Sequence, residues 1–129
     1  MGTAGPKEQR KIVVLVAEDD ADNRAVLVLM LEVAGFLAEG VTSVAEAHEA
    51  IPRVRPDVLV ADYSLEGGTA ADLLKGCAAA DRPLVCILLT GFAPENVDAA
   101  GFDVTLTKPI TPSALVEAIR TRAVPSAAT

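Results

Sequence analysis

The chain has 129 residues, of which 51% are apolar, and a formal net charge of -7 at pH 7. That length and composition suit one domain with a single hydrophobic core. The acidic balance disfavours nucleic-acid partners, because nucleic-acid phosphates would be repelled. No apolar run is long enough to cross a membrane, and the N-terminus lacks the apolar core of a signal peptide, so we expect a cytoplasmic protein without a membrane partner.

The predicted domain spans residues 11–122. Residues 1–10 carry Gly, Pro and charge without periodicity, which predicts a disordered leader, and residues 123–129 are predicted to be a disordered tail. Cys77 and Cys86 form no CxxC or Cys/His spacing. Both are therefore expected to be reduced residues in or near the core.

The first predicted strand, residues 12–17, is rich in β-branched residues and ends abruptly in acidic side chains. A helix is predicted to follow from Asp22 to Ala34, with Gly35 at its C-terminal cap. Its buried stripe is expected to consist of four residues at helical spacing: Val26, Leu29, Met30 and Val33.

Residues 36–41 predict a weaker edge strand. Ser43 and Glu46 match a capping box and open a helix toward Ile51, where Pro52 and Pro56 should exclude its continuation.

The run from Pro56 to Asp62 is typical of a strand buried on both faces. A loop follows it, and Thr69 with Asp72 is predicted to cap a helix that ends near Ala79.

Residues 84–89 predict a fourth strand that ends at Thr90, and residues 94–100 leave room only for a short helix. Residues 104–107 alternate as a fifth strand before Lys108. Thr111 and Pro112 then start a helix that is predicted to end near Arg122. Strands that alternate with helices through short connections predict an α/β fold with a parallel sheet covered on both faces.

Polar residues of complementary type end four of these strands. They are Glu18 and Asp19 after the first strand, Asp62 after the third, Thr90 after the fourth and Lys108 after the fifth. The carboxyl ends of parallel strands share one edge of a sheet. Three clustered carboxylates repel one another unless a cation lies among them, which indicates Mg²⁺ or a similar hard cation. A lysine and a hydroxyl would complete a site for a phosphoryl group.

At these positions, and at Gly91 and Pro109 beside them, the sequence resembles the receiver domain of response regulators. The resemblance covers residues 11–122. It implies a flavodoxin-like, doubly wound sheet of five parallel strands in the order 2-1-3-4-5, with helices on both faces. It also implies a signalling module, free-standing or part of a hybrid histidine kinase, whose partners are a histidine kinase or histidine phosphotransfer protein and an output protein not identified by the sequence.

The resemblance further implies a role for each site residue. Asp62 would be the phosphoacceptor, and Asp19 and Asp62 would be direct Mg²⁺ ligands. Glu18 would act through a bound water, and Ser64 would offer its backbone carbonyl. Lys108, often followed by a cis proline in this family, would pair first with the carboxylate and then with the phosphoryl group. The hydroxyl of Thr90 would move onto the phosphoryl group as the switch.

The sequence departs from the family pattern around the switch. Thr105 stands where an aromatic residue is common, and Phe92 is considered as its substitute. The segment between Thr90 and Lys108 is short by roughly one helical turn, so a shortened fourth helix is expected. In the first helix, Val28 and Leu31 lie off the predicted buried stripe and are expected to form a partner or homodimer contact.

Two other functions fit the sequence less well than a receiver. A small Mg²⁺-dependent phosphohydrolase with a phospho-aspartyl intermediate would need an acid two residues after the nucleophile, where this chain has Ser64. A flavin-binding domain would need a phosphate-cradling loop and aromatic residues, which are missing. The prediction is therefore no enzyme beyond self-directed phosphotransfer and dephosphorylation. His48 is expected to be a surface residue and Tyr63 a loop anchor.

Overall fold

A computed structural model describes residues 10–123 and contains seven strands in that range. They are β1 (Val13–Ala17), β2 (Leu37–Val41), β3 (Val58–Asp62), β4 (Ser64–Leu65), β5 (Gly68–Thr69), β6 (Val85–Thr90) and β7 (Val104–Thr107). Five of them form a parallel sheet in the order β2-β1-β3-β6-β7, and β4 and β5 form a separate antiparallel hairpin. Counted along the sheet strands alone, this is the predicted order 2-1-3-4-5.

The middle strands β3 and β6 are buried throughout, and β1 is buried apart from its first residue, whereas the edge strands β2 and β7 are only partly buried. Successive side chains of β3 enter opposite layers of the core. Leu59 and Ala61 belong to one hydrophobic cluster, and Val58 and Val60 belong to the other. The apolar run therefore serves two cores, as expected for a central parallel strand.

Four α-helices cover the sheet within the described residues. They are α1 (Ala21–Val33), α2 (Val44–Val54), α3 (Ala70–Lys75) and α4 (Pro112–Arg122). Helices α1 and α4 pack on one face and α2 and α3 on the other. Where the sequence predicted a short fourth helical segment, the chain forms a single 3₁₀ turn, Pro94–Asn96. The shortened helix is thus confirmed.

The orientation of α1 corrects the sequence analysis. Leu27 and Leu31 are its buried residues, whereas Val26, Leu29 and Val33 of the predicted buried stripe are exposed, Leu29 by 59%. Met30, the fourth residue of that stripe, is half-buried against the core. The prediction that Leu31 makes a partner or dimer contact is wrong, because this side chain is 0% exposed. Val28 is half-buried at the margin of the core. Apolar residues surround most of α1, so periodicity alone could not select the face that packs.

Helix α2 also differs from its predicted end. It continues through Pro52 to Val54 and is capped by Arg55 in the left-handed conformation, whose N–H donates to Ile51 O at 2.8 Å. In the last turn a proline removes only one backbone hydrogen bond, which the helix tolerates. At the other end the Ser43 hydroxyl accepts from Glu46 N–H, while the Glu46 carboxylate binds Thr42 instead of closing the box.

The predicted capping box at the start of α3 is present in full. The Thr69 hydroxyl accepts from Asp72 N–H at 3.1 Å, and the Asp72 carboxylate accepts from Thr69 N–H at 2.9 Å. Gly68 lies against this box at a φ of 154°, and a Cβ atom there would lie 2.8 Å from Asp72 Oδ2. Helix α3 ends at Lys75, earlier than predicted, with Gly76 as its cap.

Both ends of the described chain are attached to the domain. The Arg10 guanidinium binds the Asp57 carboxylate through two hydrogen bonds of 2.7 and 2.8 Å, and Ala123 is buried. The predicted disordered leader, apart from Arg10, and the predicted tail after Ala123 lie outside the described residues. Within residues 10–123, no helix combines the length and apolar character needed to span a membrane.

Candidate functional site

Three carboxylates meet at the carboxyl edge of the sheet. Glu18 and Asp19 follow β1, Asp62 ends β3, and one carboxylate oxygen from each lies within 4.8 Å of the others. Glu18 is 2% exposed and Asp62 9%, while Asp19 is exposed. Adjacent parallel strands β1 and β3 bring the three together, as the sequence predicted. Such a group of oxygen donors suits a hard cation.

Glu18 is fixed by two hydrogen bonds, but its carboxylate is buried beside other acidic groups. Its N–H donates to Val41 O at 3.0 Å, and its carboxylate accepts from Asp20 N–H at 3.1 Å. Burial raises the pKa of Glu18, and the neighbouring carboxylates Asp62 and Asp19 add to this, against the opposing effects of Asp20 N–H and Lys108. An ionised Glu18 would therefore gain from a cation at this edge.

Lys108 supplies the positive charge of the site. Its Nζ lies 2.5 Å from Asp62 Oδ1 and 4.0 Å from Glu18 Oε1. The residue directly follows β7, and its N–H donates to Thr90 O at 2.8 Å, which fixes its backbone to the end of β6. The Lys108–Pro109 peptide bond is cis, as the resemblance implied.

Thr90 is the last residue of β6 and is 1% exposed. Its Oγ1 accepts a hydrogen bond of 2.9 Å from Phe92 N–H. In the hydrogen bonds described for residues 10–123, the hydroxyl donates to no acceptor, so its proton is available to an oxygen placed at the site. Phe92 itself is 52% exposed.

The loop after Asp62 is built by the β4–β5 hairpin, in which Ser64 pairs with Thr69. Ser64 is exposed beside the site. The hairpin is tied to α2 by a 3.0 Å hydrogen bond from Val44 N–H to Glu66 O, and Gly67 takes the positive φ of 88° that its turn requires. The role of the Ser64 carbonyl as a metal ligand stays a prediction.

Two features at this edge were not predicted. The rings of Tyr63 and Phe92 meet edge to face, with centroids 6.3 Å apart. An apolar groove of about 230 Å³ opens beside Lys108 and Glu18 and is lined on the α1 side by residues that include the exposed Val26 and the half-buried Met30. The exposed apolar spacing of α1 would have indicated this groove, had its outward face been identified correctly.

Other residues from the sequence analysis lie away from the site. His48 is partly buried rather than a free surface residue, and its Nε2 lies 2.9 Å from Leu73 O. Cys86 is buried and Cys77 half-buried, and both are free thiols, as expected for core and near-core residues. Burial raises the pKa of Cys86 to about 11, so this thiol is protonated at neutral pH. Thr105 is exposed on β7.

Fold and site define a flavodoxin-like α/β domain that carries an acidic, lysine-containing site at the carboxyl edge of its parallel sheet. Residues 14–120 match the family described as the response regulator receiver domain. The chain belongs to this family, and it is a signalling module of the kind found in two-component response regulators.

The chain is also similar to individual proteins. The chain is 32% identical over 118 residues to an uncharacterized 14.6 kDa protein of Leptolyngbya boryana, covering 83% of this chain and 86% of that protein. It is 25% identical over 113 residues to the phosphate regulon transcriptional regulatory protein PhoB of Pseudomonas aeruginosa, covering 83% of this chain but 49% of PhoB. The chain thus spans about half the length of that regulator.

Among solved structures, a sensor protein from Polaromonas sp. JS666 superposes with a TM-score of 0.81 at 25% identity. The match covers 88% of this chain and 97% of the other. The predicted family and sheet are therefore confirmed.

Proposed function

We propose that Asp62 accepts a phosphoryl group from a phosphohistidine of a histidine kinase or histidine phosphotransfer protein, and that its phosphorylation changes a contact with an output protein. One observation carries the proposal. The buried Asp62 carboxylate lies 2.5 Å from Lys108 Nζ and within 4.8 Å of two further carboxylates, at the edge where parallel strands end.

Asp19 and Asp62 would hold Mg²⁺ directly, with Glu18 acting through a water and Ser64 through its carbonyl. The donor set fits this ion, since the clustered side chains offer only oxygen and two of the three carboxylates are buried. A bound Mg²⁺ offsets the charge on the acceptor and on the phosphoryl oxygens.

Transfer follows from the placement of the side chains. A carboxylate oxygen of Asp62 attacks phosphorus and forms the new P–O bond, while the P–N bond of the donor breaks and its electron pair stays on the imidazole. Lys108 holds the acceptor oriented beforehand and then follows the new charge onto a phosphoryl oxygen. The Thr90 hydroxyl, whose proton has no acceptor in the described structure, donates to a second phosphoryl oxygen.

The donor protein would dock on α1. The outward face of this helix exposes Val26, Leu29 and Val33, and the apolar groove beside it extends to Lys108 and Glu18. A protein that delivers a phosphohistidine to Asp62 must cover this approach, so the apolar groove would be buried during transfer. This surface replaces the predicted contact through Leu31, which is buried, whereas a contact through the half-buried Val28 stays a prediction.

The phosphohydrolase alternative gains no support. The residue two positions after Asp62 is Ser64, which cannot serve as a carboxylic acid catalyst, and residues 63–69 form a short hairpin in place of a substrate-covering insertion. Catalysis is therefore proposed to be self-directed, limited to phosphotransfer onto Asp62 and hydrolysis from it.

Incubation with acetyl phosphate and Mg²⁺, followed by intact mass measurement, tests the proposal. One phosphoryl group should be added to the chain and should be absent from Asp62→Asn. Asp20→Asn is the matched control, because asparagine caps α1 as well as aspartate does and should still be phosphorylated. Persistence of the adduct in Asp62→Asn would exclude Asp62, and rapid phosphoester turnover without an adduct would favour the phosphohydrolase.

A further inference from the structure

Receiver domains commonly place an aromatic switch at the position of Thr105, but here it is an exposed threonine on the edge strand β7. A threonine has no ring to move between buried and exposed positions. A movement of Thr90 must therefore reach the protein surface through other residues.

Two aromatic rings connect directly to the proposed reacting positions. Phe92 N–H donates to Thr90 Oγ1 at 2.9 Å. The ring of Phe92 packs against that of Tyr63, with centroids 6.3 Å apart and planes at 77°. Tyr63 follows Asp62 directly in the chain. The ring pair thus joins the residue after the acceptor to the loop held by the switch hydroxyl.

The far end of this connection lies in the segment that replaces the fourth helix. The Tyr63 hydroxyl accepts from Asp98 N–H at 3.4 Å. The Asp98 carboxylate accepts from Ala100 N–H at 3.1 Å and from Lys75 Nζ at 3.3 Å. A displacement of the Tyr63 ring would therefore reach the chain after the 3₁₀ turn and the end of α3.

The Phe92 loop can move at low cost. Phe92 is 52% exposed and belongs to neither hydrophobic core cluster, so its displacement opens no core cavity. A Cβ atom built on Gly91 would meet nothing within 4 Å, which shows open space beside the backbone between Thr90 and Phe92. Among the hydrogen bonds and ring contacts described for residues 10–123, Phe92 is held by one of each.

We propose that the contact between Phe92 and Tyr63 transmits phosphorylation of Asp62 to the surface around Asp98. This inference rests on the proposed function. When the Thr90 side chain rotates toward the phosphoryl group, its Oγ1 leaves Phe92 N–H. The loop is then released, the Phe92 ring separates from Tyr63, and the hydrogen bond between Tyr63 and Asp98 changes.

The composition of the chain supplies a direct reporter. Tyr63 is the one tyrosine of the sequence and there is no tryptophan, so intrinsic emission reports Tyr63 alone. Acetyl phosphate with Mg²⁺ should shift the emission intensity and anisotropy of Tyr63 in proportion to the phosphorylated fraction found by intact mass. Phe92→Leu should still be phosphorylated but should lose this shift.

Phe102→Leu is the matched control, because it makes the same change at a partly buried ring outside this pair and should keep the shift. Thermal melting of each variant checks that it is folded. Tyr63→Phe keeps the ring contact, so the aromatic NMR signals of Phe92 should still shift on phosphorylation.

The outcomes separate the two proposals. If the wild-type chain gains no phosphoryl group on Asp62, the proposed function fails and the inference fails with it. If the adduct forms but Tyr63 emission stays constant, or if Phe92→Leu shows the wild-type shift, only the inference is overturned.

Discussion

The two ends of β3 carry one aspartate each, in opposite settings. Asp57, just before the strand, accepts two hydrogen bonds from Arg10 and one of 2.8 Å from Val13 N–H. Asp62, at the other end, has Lys108 on one side and two carboxylates close by. The carboxylate at the amino edge has its hydrogen bonds satisfied and attaches Arg10 to the sheet, whereas the one at the carboxyl edge lies beside two further carboxylates and suits a cation.

The pKa values of carboxylates at the two edges of the sheet differ in the same way. Burial, the largest single effect, would raise the pKa of Asp57, but the hydrogen bonds from Arg10 and Val13 and the guanidinium charge together lower it. At the carboxyl edge, burial raises the pKa of Glu18 and the neighbouring acids reinforce it. The cost of burying a carboxylate is thus outweighed by hydrogen bonds and a cation at the amino edge, whereas at the carboxyl edge it is not.

The largest expected effect comes from removing the cation at each end. Lys108→Ala should slow phosphorylation by acetyl phosphate about 100-fold, because the developing phosphoryl charge loses its fixed partner. Arg10→Ala should leave this rate unchanged and lower stability by about 1 kcal/mol, since its pair is half-exposed. Quench-flow sampling with intact mass, together with urea denaturation, measures both. Equal phosphorylation rates for Lys108→Ala and Arg10→Ala would contradict the proposed difference between the two ends of β3.

Truncating the two aspartates should affect stability more at the amino edge than at the carboxyl edge, the reverse of the order expected for phosphorylation rates. Asp57→Ala leaves Val13 N–H without its acceptor and should cost about 2 kcal/mol. Asp62→Ala removes a charge that the neighbouring carboxylates repel, so its cost should be smaller. Urea midpoints in the presence of EDTA compare the two variants, and a larger loss for Asp62→Ala would be inconsistent with this reasoning.

A change at the approach to the carboxyl edge should affect only a protein donor. Val26→Lys places a charge in the exposed apolar groove and should slow transfer from a phosphorylated histidine phosphotransfer protein about tenfold, or about 1.4 kcal/mol. Labelling by acetyl phosphate should not change. Arg55→Ala, exposed at the amino edge, is the control. If Val26→Lys receives phosphate from the protein donor at the wild-type rate, α1 is not the docking surface.

Mg²⁺ should stabilise the wild-type chain by binding its carboxyl edge. At about ten times its dissociation constant, the ion should add about 1.4 kcal/mol and raise Tm by roughly 5 °C. Asp19→Asn should lose most of that rise, whereas Asp57→Asn should keep it. Differential scanning fluorimetry with and without EDTA measures the shift, and a rise that survives in Asp19→Asn would place the ion elsewhere.

The smallest expected effect is in the pH dependence of stability without metal. Because the folded pKa of Glu18 lies above its ordinary 4.5, ionisation opposes folding, and stability falls as pH rises through that folded pKa. Asp57 has a folded pKa below 3.8, so its contribution is complete above 3.8 and is lost as pH falls through the folded value. Urea midpoints measured as a function of pH should show that Glu18→Gln loses the pH dependence due to Glu18 and that Asp57→Asn loses the pH dependence due to Asp57.

The positions of most site residues could be predicted because a buried apolar run in an α/β sequence has few structural interpretations other than a parallel strand. An apolar run that stops at Asp62 or at Thr90 must place that residue at the end of a parallel strand, and the sheet order then brings these ends together. Lys108 and Glu18 follow by the same reasoning.

The remaining features depend on packing that no local pattern records. Helix α1 is apolar nearly all round, so only its contacts reveal that Leu31 is buried and Leu29 exposed. The contact between Tyr63 and Phe92 joins two loops far apart in sequence, where neither periodicity nor a motif indicates proximity. The sequence therefore locates the proposed reacting groups better than the surfaces that are proposed to communicate with them.

Gly68 lies in the loop after the proposed acceptor Asp62 and also contacts the cap of α3. A side chain there would push the Asp72 carboxylate out of the cap of α3, at a φ that residues with a Cβ atom rarely adopt. The stability of helix α3 therefore requires glycine at a position in the loop that begins one residue after Asp62. A library randomised at position 68 and selected only for folding should therefore return glycine. A glycine retained at this position would reflect the needs of the fold and would not indicate a role in signalling.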